Sequence, residues 1–155
     1  MPKTAKLVIE SATAADLEAI VGIYQDDTAG GHGDHWNVET ALRYASTFAR
    51  LAANPDYALF VVRSSGRVVG TFLLHHCETL VGIGGRSCTL HSVAVAADCR
   101  GQGIGTAMLR AAEAEAKAGG ALSLRLTSSQ QRSDAHRFYL REGYVERYRA
   151  FAKRL

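Results

Sequence analysis

This chain has little of what marks a secreted, membrane or nucleic-acid-binding protein. Its 155 residues contain three cysteines, Cys77, Cys88 and Cys99. An odd number without close pairs excludes a disulfide framework and a zinc ribbon, so three reduced thiols are expected. The opening Met1-Pro2-Lys3-Thr4-Ala5-Lys6 lacks the apolar run of a signal peptide. No stretch approaches the roughly 20 apolar residues of a membrane helix, so a cytoplasmic protein with no membrane partner is expected. Charge of one sign is also scarce: 18 Lys and Arg against 15 Asp and Glu leave +3. The basic residues are dispersed, and no nucleic-acid partner is expected. Repeats, linkers and low-complexity tracts are missing too, which points to a single domain over residues 1–155.

What is present is an alternation of strand-like and helix-like segments. Leu7-Val8-Ile9-Glu10 reads as a first strand, and Thr13 as the N-cap of a helix with Leu17, Ile20, Val21 and Tyr24 at helical spacing. That helix should stop before Gly30-Gly31, in a polar loop over 26–36. A second helix is expected over 38–52, with Ala41, Tyr44, Ala45, Phe48 and Ala52 on one face, ending before Asn54-Pro55. Residues 58–62 and 68–74 read as a hairpin turning at Ser64-Ser65-Gly66-Arg67. After a glycine-rich turn at 82–85 comes a buried strand, Leu90-His91-Ser92-Val93-Ala94-Val95. A helix then places Ile104, Met108, Leu109, Ala112 and Ala116 on one face and ends at Gly119-Gly120. A strand over 121–126, a short helix capped by Ser133 or Asp134 and stopped at Gly143, and a final extended segment or strand pair over 144–153 complete the chain.

The segment from Leu90 to Leu109 carries the chemistry. A buried strand breaks into Arg100-Gly101-Gln102-Gly103-Ile104-Gly105 and opens a helix. Glycines let backbone approach a ligand, and the first helical N–H groups and the positive dipole end converge there, which suits phosphate. Arg100 adds a charged donor.

This Arg-x-x-Gly-x-Gly pattern resembles the acetyl-CoA pyrophosphate loop of the GNAT superfamily of N-acetyltransferases. Ala135-His136-Arg137-Phe138-Tyr139-Leu140-Arg141-Glu142-Gly143-Tyr144 is similar to that family's closing helix and following strand. It looks closest to aminoalkylphosphonate N-acetyltransferase-like members. The resemblance implies an α/β (α+β) fold with a mixed, mostly antiparallel central sheet of six to seven strands flanked by about four helices. It also implies acetyl-CoA as co-substrate, transfer to a primary amine of a small molecule, and pantetheine pairing by the backbone of Val93, Ala94 and Val95. Arg100 and the backbone of Gly101, Gln102, Gly103, Ile104, Gly105 and Thr106 would hold the pyrophosphate.

Two side chains are candidates for proton transfer. Tyr139 matches the family tyrosine that protonates the departing thiolate, and a phenol with a pKa of about 10 is a donor at pH 7. His91, taken to share a strand face with Val93 and Val95, stands where many members carry a glutamate base. A catalytic base and a core histidine satisfied by backbone are both consistent with it. Arg132 replaces a common asparagine and is open to an anion. Cys99 beside the helix start reads as an ordinary thiol. His32 and His35, with His75 or His76, lack a dependable third ligand, so no metal is expected. The acidic Asp26, Asp27, Asp34 and Glu39 near Trp36 would suit a cationic amine. A catalytically idle acyl-CoA sensor on the same fold is the alternative, and a homodimer is left open. A nucleoside-triphosphatase is excluded because Gly105-Thr106-Ala107 replaces Gly-Lys-Ser/Thr.

Overall fold

The computed structural model describes residues 6–29 and 32–155. Ala5 and the residues before it, and the Gly30-Gly31 pair expected to follow the first helix, lie outside the described residues. The strands are β1 (Leu7–Ser11), β2 (Tyr57–Ser64), β3 (Arg67–Thr79), β4 (Gly85–Val95) and β5 (Leu124–Leu126). They form one sheet in chain order, antiparallel except for the parallel pair β4 and β5. The helices are α1 (Leu17–Gln25), α2 (Val38–Ala53), α3 (Ile104–Ala118) and α4 (Ser133–Arg141).

The chain ends its helices where the sequence chemistry directs. Thr13 opens a short 3₁₀ turn before α1, and its N–H and hydroxyl both donate to the Asp16 carboxylate at 2.8 and 3.1 Å. Asn37 caps α2 by accepting from the Thr40 amide at 2.9 Å, while Thr40 accepts from the Asn37 amide. This reciprocal pair satisfies N–H groups that a helix start leaves without partners. Arg132, not Ser133 or Asp134, occupies the cap position of α4.

The two sheet faces bury separate clusters. On one face α3 contributes Ile104, Met108, Leu109, Ala112 and Ala116, packed against Phe60, Phe72, Leu74 and Leu90. On the other, Ile20 and Ile23 of α1 pack against Val61, Val68, Ala94 and Ala96. Phe72 and Leu74 are fully buried, and truncating such an aromatic to alanine typically costs about 3–5 kcal/mol.

The expected count of six to seven strands is corrected to five among the described residues. The segment over 144–153, expected to be extended or a strand pair, carries no regular element. The shortfall has a physical cause: a strand needs a hydrogen-bonding neighbour, and this segment meets none among the described residues of its own chain. The strand expected over 121–126 is likewise shorter, reduced to Leu124–Leu126.

Candidate active site

The site is set by a single inserted residue in β4. Leu73 pairs with His91 but Thr71 pairs with Ala94, so Phe72 opposes both Ser92 and Val93. Ser92 sits at φ 53°, a left-handed conformation that a serine adopts only under constraint. A β-bulge of this kind shifts the side-chain alternation by one. Val93 and Val95 therefore join Leu90 on the α3 face, while Ala94 and Ala96 join the α1 face. His91 pairs with Leu73, two residues from His75 on the same face of β3. The expectation that His91 shares a face with Val93 and Val95 is thus overturned, because the bulge lies between them.

On the α3 side, β5 pairs with β4 only along Cys88–Leu90. Beyond that point the strands part and leave a cleft of about 360 Å³, lined by Val93, Ala94, Val95, Arg100, Arg132 and Ala135 among others. The backbone edge of Val93 to Val95 faces this opening with groups that need partners. At its end Arg100 donates through Nε to the Val95 carbonyl at 3.2 Å and remains exposed. Gly103 caps α3 at φ 80° with no side chain on the first-turn N–H groups, and that turn holds no acidic residue. An uncapped start of a 15-residue helix beside a cation is suited to phosphate oxygens. Gly105 serves packing instead. A Cβ there would lie 3.1 Å from Phe138 Cζ, so its lack of a side chain lets α4 pack against α3. The Thr106 hydroxyl donates to Glu142 at 2.9 Å, which leaves its backbone as the group for a ligand. These residues fit the pyrophosphate and pantetheine of CoA by donor type and by placement.

Tyr139 lies one helical turn beyond Ala135 on α4. It packs against Phe138 and edge-on against Tyr144, with ring centroids 5.3 and 5.9 Å away. Burial raises its pKa, opposed by the Arg132 charge, so the phenol keeps its proton at neutral pH. Arg132 itself pairs with Asp27 at 2.7 Å, joining the loop after α1 to the start of α4 across the cleft. Arg132, open to an anion by its sequence position, here meets the Asp27 carboxylate.

On the other face the site is built from side chains distant in sequence. His91 is exposed, has its ring 6.3 Å from His75, and His75 in turn stacks on Tyr57 at 4.2 Å. Partial desolvation and the neighbouring His75 push the His91 pKa below 6.5, so its imidazole is neutral at pH 7. It is not a core histidine. Tyr24 of α1 is half-buried beside the hydroxyls of Thr71 and Ser92; burial raises its pKa and those hydroxyls lower it. Tyr44 donates to Asp34 at 2.6 Å and stacks on Trp36, and burial together with Asp34 pushes its pKa up to about 12. Tyr24, Tyr44, Ser92 and the bridge from Arg132 to Asp27 are features that sequence reasoning missed. The acidic loop was the one signal available, and it pointed at Asp27 and Asp34 without their partners.

The remaining candidates are ordinary. Burial and Asp98 push the Cys99 thiol up, so it is not an activated nucleophile. His35 Nδ1 lies 2.9 Å from the Gly33 carbonyl, and no group of three or more metal-ligating side chains comes together among the described residues.

A splayed parallel pair beside a glycine loop, with helices on both sides of a mostly antiparallel sheet, defines the class: an acyltransferase fold with a CoA cleft. Residues 17–144 match the acetyltransferase (GNAT) family, and the chain belongs to it. It is an enzyme that uses acetyl-CoA for N-acetyl transfer. Aminoalkylphosphonate N-acetyltransferase from Salmonella typhimurium is 37% identical over 111 residues, 70% of each chain. A solved structure described as a transcriptional regulator from Bacillus halodurans C-125 matches with TM-score 0.92 at 27% identity, covering 97% of this chain and 100% of that one. An aminoglycoside N-acetyltransferase solved in complex with CoA shares the fold, with TM-score 0.79 at 16% identity over 100% of this chain and 98% of its own.

Proposed function

We propose that the acceptor is a primary amine on a small molecule and that it enters from the His91 side of the sheet, while CoA lies along Val93 to Val95. The observation that carries this is the bulge at Ser92. It places a neutral imidazole on one face and the open strand edge with the glycine loop on the other, at adjacent positions of one strand. In this reading 1–155 is one acetyltransferase domain, and the exposed free thiol of Cys77 suits a reducing, cytoplasmic location.

Acetyl-CoA, when bound, supplies the activated acetyl group. Arg100 and the backbone of Gly101 to Thr106 bind the pyrophosphate, and the Val93 to Val95 backbone orients the acyl arm. His91 accepts the proton that the amine loses as nitrogen bonds to the acetyl carbon. Tyr139 gives its proton to the departing sulfur and recovers one from solvent. Asp34, Trp36 and Tyr44 supply a carboxylate and aromatic faces that suit a cationic amine. The name of the Salmonella relative supports testing aminoalkylphosphonates first.

The test is an acetyl-transfer screen over aminoalkylphosphonates, polyamines, aminosugars, amino acids and peptide N-termini, read by free-thiol release. Thiol release with a small primary amine, matched by its acetylated product, is expected. Tight CoA binding with no turnover on any of them would favour the sensor reading instead.

A further inference from the structure

The face of the sheet that carries His91 holds a second polar row beside it. Leu124 and Leu126 of β5 pack into the cluster under α3. Side chains alternate along a strand, so Arg125 between them projects onto the opposite face, that of His91. The register carries this across four strands: Tyr57 of β2 pairs with His75 of β3, His75 with Thr89 of β4, and Thr89 with Arg125 of β5. One line of side chains thus runs phenol, imidazole, hydroxyl and guanidinium, and the line next to it is Leu59, Leu73 and His91. This part of the face stays open, with Tyr57, His75 and Thr89 half-buried and both His91 and Arg125 exposed.

Arg125 differs from the other arginines of the strands. Arg63 meets Glu10 at 2.6 Å and Asp16 at 2.7 Å, Arg67 meets Asp98 at 2.7 Å, and Arg86 meets Asp56 at 2.5 Å. Arg125 meets no carboxylate among the described residues. The two rows hold no acidic residue either. A planar fork of donors therefore stands on an open floor with its charge unmatched, beside a hydroxyl and an imidazole that can also donate. Arg125 lies one strand across and two residues back from His91. Strands about 4.8 Å apart and a rise of about 3.3 Å per residue put their Cα positions roughly 8 Å apart. That leaves a short alkyl chain's length between an amine at His91 and an acid group at Arg125.

We propose that Arg125 reads an anionic group on the acceptor, so that the amine acetylated is one carrying a phosphonate, phosphate or carboxylate on a short chain, with Thr89 and His75 flanking the charge. The proposal rests on the acceptor entering from the His91 side. A guanidinium gives such an oxyanion two parallel N–H donors, which fixes orientation as well as charge. Asp34, held by Tyr44 at 2.6 Å, supplies the opposite charge for the amine, so a zwitterionic acceptor meets a matching group for each of its ends. A charge that only guarded the exposed edge strand would leave the choice of acceptor untouched.

The test uses the full chain with aminoethylphosphonate, β-alanine and propylamine, read by calorimetry on the CoA-loaded protein and by thiol release with acetyl-CoA. A charge-assisted pair is worth about 10- to 100-fold, so the wild-type chain should favour at least one of the acids over propylamine by that ratio in affinity and in kcat/KM, through KM. The larger of the two acid ratios shows whether phosphonate or carboxylate is the group read. Arg125→Gln should bring the ratio close to one with CoA affinity unchanged. Arg125→Lys, which keeps the charge without the fork, should retain part of it. No preference for either acid in either measurement overturns the proposal, as does a preference that survives Arg125→Gln in folded protein. If the glutamine variant fails to fold, the lysine variant decides: a preference reduced severalfold supports the assignment, and an undiminished one overturns it. Acid-selective binding that Arg125→Gln abolishes, in a chain that releases no thiol with any amine, would uphold the anion subsite while removing the acetyl-transfer reading.

Discussion

Ser92 divides β4 into two regions that work by different means. Past it, Val93 to Val95 run directly into Arg100, Gly103 and the start of α3, a contiguous stretch whose functional groups are mostly backbone. Before it, His91 meets His75 from β3, with Tyr57, Tyr24, Asp34 and Tyr44 gathered from four other segments. A phosphate chain can be held by N–H groups and a helix dipole, which any sequence with the right glycines presents. An acceptor amine must be told from other amines, and that takes side chains placed in three dimensions. The glycine side therefore depends on conformation, and the histidine side on charge and hydrogen bonding.

The largest effect expected from separating the two is in Tyr139→Phe, which removes a proton donor and leaves the CoA contacts. A general acid is worth about 100- to 10,000-fold, so turnover should fall within that range while CoA affinity by calorimetry stays within error. Full turnover with chemistry shown to be rate-limiting would remove Tyr139 from the mechanism.

Gly103→Val should break only the glycine side. A Cβ at Gly103 meets nothing within 4 Å, so the fold has room for it, but the residue sits at φ +80°. A branched side chain there carries about 1–2 kcal/mol of left-handed strain, which lowers CoA affinity by about tenfold if the loop shifts to relieve it. Unchanged affinity in a folded variant would show that the loop does not hold the cofactor.

His91 should sharpen the other side through pH. Its pKa lies below 6.5 because its charged form is disfavoured, so kcat/KM should rise as pH rises through that lowered value and level off above it. His91→Ala should lose this limb and show a smaller defect at high pH, where more amine is already neutral. His75→Ala removes one cause of the depression, so the limb should move to higher pH. A His91→Ala defect equal at every pH would make the residue structural.

The smallest effect expected is in Tyr44→Phe. It removes the hydrogen bond to Asp34 at a partly exposed loop, worth about 1 kcal/mol, and should raise KM for the amine severalfold with kcat and CoA binding unchanged. A change in CoA affinity instead would merge the two regions.

Much of this was legible beforehand, though unevenly. The α3 face was predicted residue by residue, and Ile104, Met108, Leu109, Ala112 and Ala116 are all buried. The hairpin around Gly66, the end of α2 before Asn54-Pro55 and the glycine loop follow from neighbours within a few positions, whereas Thr13 caps the 3₁₀ turn ahead of α1 and Asp16 stands at the start of α1 itself. The face on which His91 lies is not legible in the sequence. Period-two alternation through Ser92 puts His91 on the face of Val93 and Val95, and nothing in a serine flanked by His91 and Val93 announces the bulge that separates them.

The sequence by itself determined the four helices, the strands β1 to β4, and the glycine loop that leads from β4 into α3, because spacing, capping and backbone freedom act over a few residues. Only the tertiary structure decided that β4 splays from β5 and gains a residue at Ser92. It likewise paired Arg132 with Asp27, brought Tyr24 beside Ser92, and left residues 145–155 without backbone hydrogen bonds among the described residues. Those outcomes depend on which strand or loop comes to lie beside which. The competing pairings differ by contacts between residues dozens of positions apart, and no local pattern carries that energy.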